Sequence, residues 1–163
     1  MPLLRFFFAG LLLLLSASSH ADITYTVSNV YDGDTVELKS NAGSKLKLRL
    51  TDIDAPERNQ KFGQKARRAL IKLCKGSIIS VELAGKDKYN RYLGKLECNQ
   101  TDASLYMAEH GYAWHNEKYS DNIAIRNAAA TARKMHLGLW SEDNPLPPWV
   151  WRRLHKNAYP STK

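Results

Sequence analysis

The chain has 163 residues, with 24 Lys and Arg against 16 Asp and Glu and a formal net charge of +8, so its surface suits a polyanionic partner. Two cysteines without Cys-x-x-Cys spacing, and histidines without His-x-x-x-His spacing, argue against a zinc site. There is no internal repeat or low-complexity block beyond the leader, and the length fits one compact domain with a short tail.

Arg5 precedes an apolar run from Phe6 to Leu15, followed by Ser19-His20-Ala21, the pattern of a secretory signal peptide over residues 1–21. At roughly 1.5 Å of rise per residue the run covers about half of a ~30 Å hydrocarbon core, too little for an anchor. The expected product is therefore secreted or periplasmic, with no stable membrane insertion after cleavage. Export places Cys74 and Cys98 where a disulfide can persist; a bridge between them and two separate buried thiols both fit the sequence.

A folded domain is expected over 22–140. Tyr25–Val30, Thr35–Lys39 and Lys45–Leu50 alternate as strands, the last with Leu46, Leu48 and Leu50 opposite Lys45, Lys47 and Arg49, so Arg49 faces away from the core. Asn41-Ala42-Gly43-Ser44 reads as a hairpin turn. Gln64–Lys75 carries Ala66, Ala69, Leu70 and Leu73 on one helical face and ends at Gly76. Ile79, Val81 and Leu83 form a fourth strand and Tyr92–Cys98 a fifth. Helices are predicted over Asp102–His110 and Ser120–Leu137, the latter with Ser120 as N-cap. The fold class is α+β: a five-stranded OB-type barrel with three packed helices. Residues 141–163, with Pro145, Pro147, Pro148, Trp149 and Trp151, read as a tail whose tryptophans pack on the domain.

Against the basic background, carboxylates concentrate in Asp32-Gly33-Asp34-Thr35 and Asp52-Ile53-Asp54-Ala55-Pro56-Glu57. Hard oxygen donors at strand ends favour calcium, magnesium or manganese over zinc. Phosphodiester hydrolysis needs a base, a metal and cationic donors, which Glu57, the Asp34 and Asp54 pair, and Arg49 and Arg91 can supply. Each arginine is expected to grip phosphate through two parallel N–H bonds. Two other classes compete: a nucleic-acid-binding module without catalysis, and a secreted domain using calcium for stability or binding acidic polysaccharide. Neither gives Glu57 and the paired arginines a use.

These segments, with Asp87-Lys88-Tyr89-Asn90-Arg91 and Gly138-Leu139-Trp140, together resemble the thermonuclease (staphylococcal nuclease-like) family over nearly all of residues 22–163. The resemblance implies an OB-fold, calcium-dependent endo- and exonuclease of DNA and RNA that leaves 3′-phosphate ends; nothing in the sequence requires more than a monomer. It makes Asp34, Asp54 and the Ala55 carbonyl the Ca2+ ligands, and Arg49, Glu57 and Arg91 the catalytic set. Lys88, Tyr89 and Tyr119 become substrate contacts. Ala113–Asn122 departs from the family pattern, which bears on Tyr119 and Trp114. Asn90 replaces a frequent Gly in a turn whose left-handed dihedrals Asn tolerates.

Overall fold

The computed structural model describes residues 22–155; the expected signal peptide and the end of the tail lie outside the described residues. In chain order the elements are β1 (Tyr25–Val30), β2 (Thr35–Ser40), β3 (Lys45–Leu50), β4 (Ile53–Asp54), α1 (Gly63–Cys74), β5 (Ile79–Lys86), β6 (Tyr92–Cys98), β7 (Thr101–Asp102), α2 (Ala103–Glu109), β8 (Trp114–His115), α3 (Ile123–Lys134) and α4 (Pro148–Leu154), with a 3-10 turn over Gly138–Ser141. None of these helices is long and apolar enough to cross a membrane.

Alternating apolar residues make β1 to β3 an antiparallel meander, whose second hairpin turns at Gly43 with φ 87°. β5 pairs with β1 and β6 with β5. β6 then runs parallel to β3, from Leu48 opposite Tyr92 to Leu50 opposite Gly94, which closes a five-stranded barrel. Its interior is filled by Val36, Leu38, Leu48, Leu50 and Leu96, all essentially inaccessible to water. α1 packs Ala66 and Leu70 into this core, and α2 adds Met107 and Ala108. This is the α+β OB-type barrel that the strand pattern predicts.

Cys74 at the end of α1 and Cys98 at the end of β6 form a disulfide with Cα atoms 5.0 Å apart, which resolves the two readings of the cysteines and ties the helix to the barrel.

The helices differ from expectation in three places. α3 starts at Ile123, with the Asn122 side chain accepting the Ile125 N–H at 3.3 Å, rather than at Ser120. Ser120 instead accepts the Asn122 N–H and faces His115 Nε2. α3 also ends at Lys134, because His136 and Gly138 both take positive φ. Finally, the described residues form four α-helices, not three. α4 forms in the supposed tail because Pro148 sits at its first position, where the ring fixes a helical φ and the missing N–H has no partner to lose.

Candidate active site

The loops following β1 and β3 meet because small residues let them. Gly33 lies where an added Cβ would stand 2.8 Å from Ala55 Cβ and 2.7 Å from Ala66 Cβ, closer than real side chains come, so only glycine lets this loop seat against both. The Asp34 carbonyl accepts the Leu50 N–H at 2.8 Å, docking the loop on the end of β3. Asp34 Oδ2 accepts the Ala55 N–H at 2.7 Å, and Oδ1 accepts the Thr35 hydroxyl at 3.0 Å. Asp54 is fixed by β4, whose partner β8 sets Trp114 opposite it. Both carboxylates are buried.

Arg49 joins them. As the alternation predicts, it points out of the barrel, and it meets Asp34 Oδ1 through Nε at 3.2 Å and Asp54 Oδ1 through Nη2 at 3.0 Å. Nη1 donates to the carbonyls of Leu50, at 2.6 Å, and Ile53, at 3.0 Å. Three of the five guanidinium N–H groups thus donate hydrogen bonds within the protein, and Nε is ion-paired with Asp34. A two-pronged phosphate grip by Arg49 would have to compete with its contacts to Asp34 and Asp54.

Burial is the largest influence on these acids. It pushes the Asp34 carboxyl up from 3.8 to about 7, with Arg49 opposing and Asp32 reinforcing the rise. Asp54 and Glu57 are also raised by burial, against the pull of Arg152. When ionised, the carboxylates of Asp32, Asp34, Asp54 and Glu57 confront the guanidiniums of Arg49 and Arg152, two negative charges in excess. A divalent cation matches that excess, and the donors are the oxygens such ions prefer. Among the described residues no three His, Cys, Asp or Glu side chains converge as a complete cage, so a cation held by Asp34 and Asp54 would draw its other ligands from backbone, water or substrate.

The raised acids set a pH dependence. Between about 4 and 7 native Asp34 holds a proton that the unfolded chain has released, so stability falls as pH rises through that window. Glu37 and Asp87, held below their ordinary values, lose their contribution only on acidification below about 4 and do not mask this slope. Thermal melts in chelator are expected to show Tm falling from pH 5 to pH 7.5, with the slope reduced in Asp34→Asn. An equal slope in that variant would assign the effect elsewhere.

Glu57 begins a turn that ends at Gly63, where any Cβ would run into the Glu57 carbonyl oxygen. Its N–H donates to Gln60 Oε1 at 3.1 Å. Its carboxylate meets Arg152 from α4: Nη1 lies 2.8 Å from Glu57 Oε1 and 3.1 Å from Asp54 Oδ1, and Nη2 lies 2.7 Å from Asp54 Oδ2. Arg152 was not expected at this site. The available signal was Pro147-Pro148 as a helix start placing an arginine in the next turn.

Arg91 immediately precedes β6, after a turn in which Asn90 takes φ 60°, the left-handed conformation expected of it. Asp87 Oδ1 accepts the N–H groups of Tyr89 and Arg91, and Oδ2 takes Arg91 Nε at 2.8 Å and Nη2 at 2.7 Å. Asp87 therefore aims a guanidinium that keeps three N–H donors free. Lys88, Tyr89 and Tyr119 join Arg49, Asp54 and Arg91 along a groove of about 1490 Å³. Tyr89 is 54% and Tyr119 76% exposed, so both rings are open to a ligand. The structure thus brings Asp34, Asp54, Ala55, Arg49 and Glu57 into one cluster, with Lys88, Tyr89, Arg91 and Tyr119 along the groove that leads from it.

Residues 47–142 match the family described as Staphylococcal nuclease homologue. The chain is 34% identical over 166 residues to a "Micrococcal nuclease" of Shigella flexneri, covering 95% of each. It is 35% identical over 143 residues to an "Uncharacterized endonuclease" of Haemophilus influenzae, covering 88% of this chain and 80% of that one. A protein of the same description from Escherichia coli O157:H7 is 34% identical over 133 residues, 81% of this chain and 86% of the relative.

Proposed function

Because this chain belongs to the staphylococcal nuclease family, whose members include nucleases alike over nearly its whole length, we propose that it is an exported, calcium-dependent nuclease. It hydrolyses phosphodiester bonds in DNA and RNA, internally and from chain ends, and leaves 3′-phosphates. The observation that carries this reading is the placement of Glu57 beside the buried pair Asp34 and Asp54, an acid cluster that its two arginines do not fully neutralise when ionised, next to a groove of basic and aromatic side chains.

In this mechanism Asp34 and Asp54, with the Ala55 carbonyl, would hold the cation, which when bound would offset the charge that grows on the phosphate oxygens. Lys88 and Arg91 draw the phosphate into the groove, and Tyr89 and Tyr119 offer faces on which bases stack. Glu57, raised by burial toward working pH, accepts the proton of the attacking water. The new bond forms between that water oxygen and phosphorus as the P–O5′ bond breaks, so the phosphate stays on the 3′ oxygen and the 5′ oxygen takes a proton from solvent. The three free N–H groups of Arg91 are those able to follow the phosphate charge through the reaction. Arg49 serves mainly to hold the two carboxylates at their separation.

The Cys74–Cys98 disulfide supports export, since such bridges persist in oxidising compartments. Extracellular calcium also suits a site with few protein ligands and weak affinity.

The test is incubation of purified protein with single-stranded DNA in calcium or in chelator. Cleavage only with calcium, yielding 3′-phosphate ends, is expected. DNA binding that falls with salt but never leads to cleavage under any divalent metal would instead establish a binding module.

A further inference from the structure

We propose that Arg152 is a positioning residue for Glu57, and that the C-terminal segment through α4 is therefore a working part of the site. The inference rests on the reading of Glu57 as the base.

Glu57 needs external support. It follows Pro56 and lies outside any strand or helix, so nothing in the sheet fixes its side chain. The C-terminal segment supplies that support at three points. The Leu146 carbonyl accepts Gln60 Nε2 at 2.5 Å, and the same Gln60 side chain accepts the Glu57 N–H through Oε1. Lys61, in the same turn, pairs with Glu142. Arg152 then reaches the carboxylate itself.

The way Arg152 binds explains how the position is set. Nη1 bridges Glu57 Oε1 and Asp54 Oδ1, while Nη2 takes Asp54 Oδ2. A planar fork that grips both oxygens of one carboxylate and one of another fixes their separation and relative orientation, which a flexible ammonium does not. Asp54 is already rigid, because β4 is paired with β8. Arg152 thus transfers the register of that strand pair to Glu57. α4 is anchored on the same pair: Trp149 stands edge-on to Trp114, 6.3 Å between ring centroids, and Pro148 is buried. With three of its five guanidinium N–H groups committed to Asp54 and Glu57, Arg152 is placed to hold the base.

The experiment compares wild type, Arg152→Gln, Glu57→Gln and the double variant for kcat and KM on single-stranded DNA at saturating calcium, with calcium binding measured separately by calorimetry. Arg152→Gln is expected to lose about 10²-fold in kcat with KM little changed, the scale of loss when a reacting group is misplaced. Calcium binding is retained, which shows an intact site. Because Arg152 acts through Glu57, the double variant is expected to be no slower than Glu57→Gln alone.

Unchanged kcat with tighter calcium binding would overturn the proposal and make Arg152 a competitor of the cation. Raised KM with unchanged kcat would overturn it in favour of a phosphate contact. A double variant whose loss is the product of the two single losses would also overturn it, since a merely structural defect adds independently. Full activity in Glu57→Gln would remove the base assignment as well as this inference, whereas an inactive Glu57→Gln beside a fully active Arg152→Gln removes this inference alone. Should Arg152→Gln fail to fold, Arg152→Lys, which keeps the charge but not the fork, is read by the same criteria.

Discussion

Glu57→Gln is expected to lower kcat by about 10³-fold while leaving single-stranded DNA affinity unchanged or slightly tighter. The magnitude is that of general-base catalysis removed from a site otherwise intact. Gln has nearly the same shape and keeps an oxygen able to accept from Arg152 Nη1, so the turn from Glu57 to Gly63 retains its support. What disappears is a proton acceptor. Because burial raises Glu57 above its ordinary value, the native carboxylate is a better base than an exposed one, and an amide is effectively none. Binding behaves oppositely, since loss of a negative charge near the substrate phosphate removes repulsion. Single-turnover cleavage and fluorescence anisotropy, at one fixed salt concentration, separate the two effects. Hydrolysis at the native rate would end the role of Glu57 as base; loss of cleavage together with loss of binding would mean that it supports the groove instead.

The barrel was readable because its strands alternate strictly: Lys45 to Leu50 shows by period alone which residues face inward, and Leu48 and Leu50 are indeed buried. The acid cluster was readable because its members lie in two short motifs beside strand ends, so local geometry nearly determines their meeting. Arg152 was not, since its partners Asp54 and Glu57 lie far away in the chain and no periodicity reports that pairing. The helix that carries it was obscured by the prolines around it, which read as helix breakers until one is placed at the first helical position. Ser120 misled for a related reason. A good capping residue stood two positions before the residue that caps, and its hydroxyl was taken by His115 and the Asn122 N–H. The donors of Arg49 could not be counted from sequence, because two of their four acceptors are backbone carbonyls.

That count separates the two arginines that sequence alone treats as equivalent. Arg49→Lys is expected to destabilise the metal-free protein by about 2–4 kcal/mol, since lysine keeps the charge but leaves buried acceptors without donors. Lysine can reach one of the four acceptors well and leaves the others, including two backbone carbonyls, without a partner. Arg91→Lys is expected to stay within about 1 kcal/mol of wild type, since Arg91 is more exposed and has one carboxylate partner, Asp87, in a surface turn. Both variants lose activity, for different reasons: Arg49→Lys lets the two carboxylates separate, whereas Arg91→Lys removes donors to the phosphate. Urea denaturation in chelator measures the stability difference. Adding calcium is then expected to recover part of the Arg49→Lys loss, because an ion bound between Asp34 and Asp54 would draw the two carboxylates together again, and to do little for Arg91→Lys beyond its effect on wild type. Equal stability of the two variants in chelator would show that the Arg49 cluster does not hold the loops together, and calcium would then have no selective effect to exert.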